Sequence, residues 1–409
     1  MNRLVLIGNG FDLAHKLPTS YKDFFYWYWR YRFNNIHDEY TNTSEDVLCS
    51  LTTLRFESWH MLMFHNHIQL TAMNGEQLYP WLCDKKFFTI KYSQLFDRIR
   101  NCVETKGWVD IENEYYELLK KYVLENAPES QIEDLNKQLY YLQELLVEYL
   151  KGIEILDKIA KGEIRHKIYD VFKTTDISLG GQNALKEHIE SGFERDEREW
   201  QWLFHSYGYD CLFSDRVDTY RQMYEKKTNI LNEEEPPMEL MLPNHIMLLN
   251  FNYTHTADLY CKKRDIFTVN QIHGNLKQPQ SVIFGYGDEL DDNYKSIVDK
   301  NENKFLGNIK SIKYLEADNY RKLLSFIESE PYQILIMGHS CGNSDRTLLN
   351  TLFEHKNCVS IKPYYHQIDK DHDNYIELVQ NISRNFKDMK LMRDRVVNKT
   401  YCEPLARNN

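Results

Sequence analysis

The chain has 409 residues, 42% of them hydrophobic, enough for one large domain carrying an insertion, or for two domains, with a substantial core. A formal net charge of −11 excludes a generally basic nucleic-acid surface, although it leaves room for a local basic groove. No apolar run is long enough to span a bilayer, and Met1-Asn2-Arg3 leads straight into a strand-like run without a secretory signal, so a cytoplasmic protein is expected. The eight cysteines (Cys49, Cys83, Cys102, Cys211, Cys261, Cys341, Cys358 and Cys402) form no CxxC pair; they read as reduced thiols, and no metal site is expected.

The first predicted strand, Leu4–Ile7, runs into Gly8-Asn9-Gly10, then Phe11-Asp12 and a helix through Leu13, Ala14 and His15. Two glycines at a strand end let the backbone approach a phosphate, with amides at the helix start completing an anion cradle. A tight turn without a ligand is the competing reading. An ordinary dehydrogenase is disfavoured, because its fingerprint wants a small residue where Leu13 stands and an acidic residue at a later strand end. The aromatic stripe from Tyr21 to Tyr31 reads as a buried helix rather than a base-stacking platform.

From about Asp38 to Glu239 helical periodicity dominates, which predicts a helical insertion (38–239) in an α/β core formed by residues 1–37 and 240–398. Its clearest element is a long helix near 130–160. Ile132, Leu135, Leu139, Leu142, Leu146, Tyr149, Ile153, Leu156 and Ala160 alternate spacings of three and four along one seam, and Ser130 with Glu133 forms the expected capping box. The seam fits a dimerising coiled coil or, preferably, packing within its own chain. Glu233-Glu234-Glu235-Pro236-Pro237 reads as an exposed linker back to the sheet. Further strands are expected at Ile246–Asn250, Phe267–Gln271, Val282–Phe284, Ile334–Met337 and Val359–Lys362, giving a Rossmann-like, mostly parallel sheet with helices on its faces. The tail after Lys399 (399–409) is expected to fray.

Three more motifs follow strands. Asn252, in LNFNYT, is placed to hydrogen-bond a ribose, an amide or a water, though strand-end asparagines as often satisfy turn backbone. His273-Gly274 offers a group that titrates near neutrality beside a close backbone approach. Gly338-His339-Ser340-Cys341-Gly342, with Asp345 nearby, fits the G-x-S-x-G elbow of a serine hydrolase, but little chain remains after Ser340 for the acid and base loops of that fold.

In order, the glycine turn, strand-end Asn, His-Gly and Gly-x-Ser resemble the sirtuin-like superfamily, in which these places surround NAD. The strings IGNGFDLAHKLPTSYKDF, WVDIENEYYELL (Trp108–Leu119), LNFNYT and IHG are similar to the bacteriophage abortive-infection AbiH family over most of the chain. The resemblance implies a sirtuin-like core in which Gly8, Asn9, Gly10 and Phe11 face the cofactor phosphates and Asp12 lies at the crevice mouth. It puts Asn252 beside the nicotinamide ribose, His273 in the place of the base, and Gly338 and Ser340 at ribose or phosphate, with Asp345 close by. Two departures stand out. The four-cysteine zinc module of sirtuins is missing, which disfavours a protein deacylase, and Thr254 stands where sirtuins have Asp.

The leading expectation is hydrolysis of NAD at the nicotinamide–ribose bond on infection, restrained until a phage-encoded trigger is sensed, with the insertion as the sensing element and a homo-oligomer as a possible form. Thr254 favours a competing, non-catalytic sensor or switch that binds NAD or a related nucleotide. A nuclease toxin would need carboxylates such as Asp12 and Asp345 to converge on a metal.

Overall fold

The computed structural model describes residues 1–36, 41–54, 58–62, 72–156, 158–207, 217–219, 221–225, 241–261 and 266–406; the expected linker at 233–237 and Cys211 lie outside them. Strand β1 (Asn2–Ile7) leads into α1 (Asn9–Ala14) and the aromatic helix α2 (Tyr21–Asn35). Helix α2 starts at a capping box in which Ser20 and Asp23 satisfy each other's backbone amides. Its Phe24, Phe25, Tyr28, Trp29 and Phe33 are buried, and Phe25 and Trp29 meet Tyr79 and Phe96 edge-on or tilted.

The next stretch is not purely helical. β2 (Thr43–Glu45), β3 (Cys49–Thr53) and β4 (Phe88–Tyr92) form a small antiparallel sheet, with α3 (Gly75–Leu82) between the last two. These strands are short, and in β3 only alternate residues (Cys49, Leu51, Thr53) are buried, too weak a pattern to stand out from the helical signal around it. Helices α4 (Gln94–Lys106), α5 (Ile111–Leu124), α6 (Glu129–Glu154), α7 (Gly162–Tyr169) and α8 (Leu179–Tyr207) follow. The long-helix seam from Ile132 to Ile153 is buried within the chain, in the same apolar cluster as α2, α4 and α5. It stops there because α6 ends at Glu154; Leu156 is 47% exposed. The predicted capping box is absent. Pro128, with φ −58°, caps α6 instead, Ser130 lies inside the first turn, and Glu133 pairs with Lys304.

The remaining elements are β5 (Ile246–Asn250), β6 (Phe267–Gln271), α9 (Tyr294–Val298), α10 (Asn303–Leu306), α11 (Lys310–Lys313), α12 (Asn319–Ser329), β7 (Tyr332–Met337), α13 (Arg346–Glu354), β8 (Cys358–Tyr364), α14 (Tyr375–Arg384) and α15 (Met389–Arg395). Val282–Phe284 is not a strand. It follows a 3-10 turn at Pro279–Ser281 and folds back so that Ile283 N–H donates to His273 O (2.9 Å); its apolar character reflects burial without pairing. The tail is anchored through residue 406: Leu405 is buried, and its N–H donates to Tyr365 O (2.8 Å). Among the described residues no helix is long and apolar enough to cross a membrane.

Five strands form one parallel sheet in the order β6-β5-β1-β7-β8. Side chains alternate between its faces. Leu4, Leu6, Met247, Leu249, Ile334 and Ile336 enter one core, whereas Val5, Ile7, Ile246, Leu248, Leu335 and Met337 enter the other. Such strands read as continuous apolar runs because both faces are covered, and each fully buried aliphatic side chain contributes about 1.5–3 kcal/mol. The chain lays strands on one side of β1, then crosses to the other, which opens a crevice beyond the carboxyl ends of β1 and β7.

Candidate functional site

The register sets the site. Ile7 lies level with Asn250 and Met337, Asn250 with Gln271, and Met337 with Tyr364, so the residues after these strands emerge along one edge. They line a cleft of about 1060 Å³, just above the usual range for small-molecule sites. Gly8, Asn9, Gly10, Asp12, Asn252, His273, Gly338, Ser340 and Asp345 all border it, and Trp108, Val109, Asp110, Glu112, Leu146 and Leu150 form the wall contributed by the helical segment. Phe11 does not. It is fully buried and packs against His15 and Tyr260, so it cannot face a cofactor.

The glycines bring two turns into backbone contact. Gly338 has φ +74°, and a Cβ there would lie 2.1 Å from Phe11 N; a Cβ on Gly8 would lie 2.5 Å from His339 Cα. Gly10 N–H donates to Gly338 O (2.8 Å) and Phe11 N–H to Gly8 O (2.9 Å). Two amides of the expected phosphate cradle are therefore already bonded within the protein. Helix α1 closes with Lys16 N–H on Leu13 O and Leu17 N–H on Asp12 O, a Schellman arrangement. Its left-handed position, usually Gly, holds Lys16 at φ +62°.

Beside this turn, Asn250 organises the β5 loop, donating to Thr254 O and Gln271 Oε1 and accepting from Asn252 N–H. Asn252 in turn donates from Nδ2 to Gly8 O (3.0 Å), which ties the β5 and β1 ends together. Thr254 Oγ1 donates to Asp12 Oδ2 (2.6 Å), and burial raises the Asp12 carboxyl above its ordinary range despite that bond.

A buried charge network also adjoins the cleft. Lys310 bridges Glu112 Oε2 (2.9 Å) and Asp345 Oδ1 (2.8 Å). His273 Nε2 is 3.2 Å from Asp345 Oδ1 and 3.1 Å from Tyr314 Oη. His339 Nδ1 accepts from Cys341 N–H, and its Nε2 lies 3.6 Å from Asp345 Oδ2. Burial pushes Glu112 up to about 7 against the pull of Lys310. Burial also opposes ionisation of Asp345, but Lys310 and then His273 hold it well below the usual carboxylate range. His273 is lowered by burial and by Lys310, so it stays neutral near pH 7, as a general base must. Asp110, beside Glu112, accepts from Asn113 N–H and is raised by burial.

The nucleophile-elbow geometry is missing. Cys341, not Ser340, occupies the left-handed region (φ +54°), its thiol is pushed up by burial, and the exposed Ser340 hydroxyl is bonded to neither histidine. Among the described residues no group of three or more His, Cys, Asp or Glu side chains stands together as a metal-binding set.

A family model described as Bacteriophage abortive infection AbiH matches residues 4–367. The chain belongs to the AbiH family. That membership implies a role in abortive infection on bacteriophage attack. Comparisons with curated proteins and with solved structures give no match. The AbiH match runs from β1 to just past β8, so it spans every cleft motif named above, while α14 and α15 fall beyond it. Reading motifs one by one missed Glu112, Lys310, His339 and Tyr314 in this AbiH site. Glu112 lies inside the string Trp108–Leu119, but no local pattern couples it to Lys310, 198 residues away.

Proposed function

We propose that this AbiH protein defends against phage by hydrolysing NAD at the nicotinamide–ribose bond, on a sirtuin-like, Rossmann-type core. The observation that carries the reading is the convergence of Asn252 and His273 on one cleft at the carboxyl edge of a parallel sheet, with Asp345 orienting a neutral His273. In the reaction the C1′–N bond breaks as a water oxygen bonds to C1′; nicotinamide leaves and one proton is released. Positive charge develops on the ribose, so orienting the water and holding the ribose hydroxyls stabilises the transition state. Asn252, its Nδ2 bonded to Gly8, has Oδ1 left to orient the water or a hydroxyl. His273 takes the proton, and Asp345 stabilises the imidazolium. Loss of NAD would stop phage replication along with the host, and the wall at Trp108–Glu112 is the element through which the rest of the chain could restrain the site.

The Thr254–Asp12 bond favours a second reading, a cleft that binds the nucleotide and switches without cleaving it. Incubating purified protein with NAD, with and without phage lysate, separates the two. Release of nicotinamide that Asn252→Ala abolishes supports hydrolysis. NAD binding in calorimetry without any nicotinamide leaves the switch.

A further inference from the structure

We infer that the diphosphate of the ligand is held at the corner where α1 and α7 meet, by Lys16 and Lys161, rather than by the glycine turn. The Gly10 and Phe11 amides are already bonded to Gly338 O and Gly8 O, so an anion in the cleft needs other partners. The acidic side chains on the wall of the cleft, Asp12, Asp110, Glu112, Glu163, Asp345 and Glu377, supply carboxyl groups and no cation. Among the described residues lining it, the lysines are Lys16 and Lys161, and neither is in an ion pair.

The fold holds these two together. The Tyr260 hydroxyl accepts from Lys161 N–H (2.8 Å) and bonds to His15 Nε2 (2.6 Å), while His15 Nδ1–H donates to Phe11 O (2.7 Å). One hydroxyl thus joins the residue before α7 to the residue preceding Lys16. His15 is lowered by burial and further by the charges of Lys161 and Lys158, so the field of Lys161 reaches this corner. Of the neighbouring acids, Glu154 is bound to Lys158 and contacts His255, and Glu163, on the cleft wall, is the one a phosphate would have to outcompete. Lys16 also occupies the left-handed position where glycine would cost nothing, which argues that its side chain is what the position keeps. Two ammonium groups match the two charges of a diphosphate. The choice of a dinucleotide as ligand rests on the NAD reading; the anion subsite does not.

The test uses Lys16→Gly, Lys161→Gln and the double variant of the full chain, titrated by calorimetry with NAD and with inorganic pyrophosphate. Lys16→Gly relieves the left-handed strain, so its melting temperature should equal or exceed that of the wild type, which removes misfolding as an explanation. Each single variant should bind NAD roughly tenfold more weakly, one charge-assisted contact having been lost, and the double should bind no pyrophosphate. If the variants bind NAD as the wild type does, the subsite is overturned and the NAD reading stands. If the wild type binds pyrophosphate through these lysines but not NAD, the subsite stands and the NAD reading falls. If it binds neither, both fall.

Discussion

Thr254 donates its hydroxyl to Asp12 Oδ2 at 2.6 Å, which links the loop after β5 to the helix after β1 in the buried floor of the cleft. An acid at position 254 would be disfavoured here, because its carboxylate would face that of Asp12, whose ionisation burial already opposes. Thr254→Val should cost about 1–3 kcal/mol, the price of leaving a buried acceptor without its donor. Thr254→Asp should cost more at pH 7 and recover on acidification, because two adjacent buried carboxyls bind a proton more tightly than they do unfolded. The wild type has the same sign of pH dependence from Asp12 alone, with stability rising as pH falls from its raised folded value towards its ordinary one. Urea unfolding at pH 7 and pH 5 measures both slopes. Equal slopes for Thr254→Asp and the wild type would contradict the argument.

Asn252 and His273 are paired in the proposed chemistry but not in the packing. Asn252 is only partly buried and its side chain makes one donated bond, to Gly8 O, so Asn252→Ala should lower stability by about 1 kcal/mol and still remove nicotinamide release. His273 is 4% exposed and contacts both Tyr314 and Asp345. Truncation to Ala would leave a cavity and strand those partners, so His273→Ala should lose activity and also about 2–4 kcal/mol. His273→Asn, which keeps most of the volume, is the better probe of chemistry. Urea midpoints alongside nicotinamide release distinguish these cases; a His273→Ala as stable as Asn252→Ala would show that the network contributes little.

This contrast marks where sequence reading works and where it stops. Ile246–Asn250 and Phe267–Gln271 are legible to the residue, and Leu4–Ile7, Ile334–Met337 and Val359–Lys362 to within two, because strands covered on both faces appear as unbroken apolar runs. The same signal misleads at Val282–Phe284, which is buried but paired with no strand. The motifs after the strands are legible for a related reason: each must turn at a strand end, and turns leave Gly and Asn in the sequence. The ionic network has no such local signature. Glu112, Lys310 and Asp345 come from an inserted helix start, a short helix and a strand-end loop, and only the folded chain shows that they share charges.

Lys310 is fully buried, so its removal should be felt directly. Lys310→Met leaves Glu112 and Asp345 without their shared counter-ion and should cost about 3–5 kcal/mol near neutral pH. In the wild type Asp345, held below its ordinary range, contributes stability that is present above that range and lost as pH falls through its folded value. Glu112 acts oppositely: raised to about 7, it favours the native state increasingly as pH falls from about 7 towards its ordinary value of 4.5. Without Lys310 both carboxyls bind protons more tightly in the folded state, so the variant should regain stability between pH 8 and pH 5 more steeply than the wild type. Adding Glu112→Gln should recover part of the loss at pH 8. If Lys310→Met shows the wild-type slope, the three groups are not coupled.

The contact between Gly10 and Gly338 makes the sharpest test of how the fold builds the cleft. Alanine at 338 must hold φ +74° and place its Cβ 2.1 Å from Phe11 N, against backbone that cannot rotate away as a side chain could. The left-handed conformation alone costs about 1–2 kcal/mol, and the clash adds to it by forcing the β7 turn away from α1. Gly338→Ala should therefore reduce soluble yield and, in the folded fraction, break the Gly10–Gly338 bond and weaken nucleotide binding. Gly152 is the control. It lies inside α6 with nothing within 4 Å of a Cβ, so Gly152→Ala should stabilise the protein by about 0.5–1 kcal/mol through helix propensity alone. Melting temperatures of the two variants should move in opposite directions. A Gly338→Ala variant that melts and binds as the wild type does would mean that the two turns can separate without cost, and that the cleft is not built on their contact.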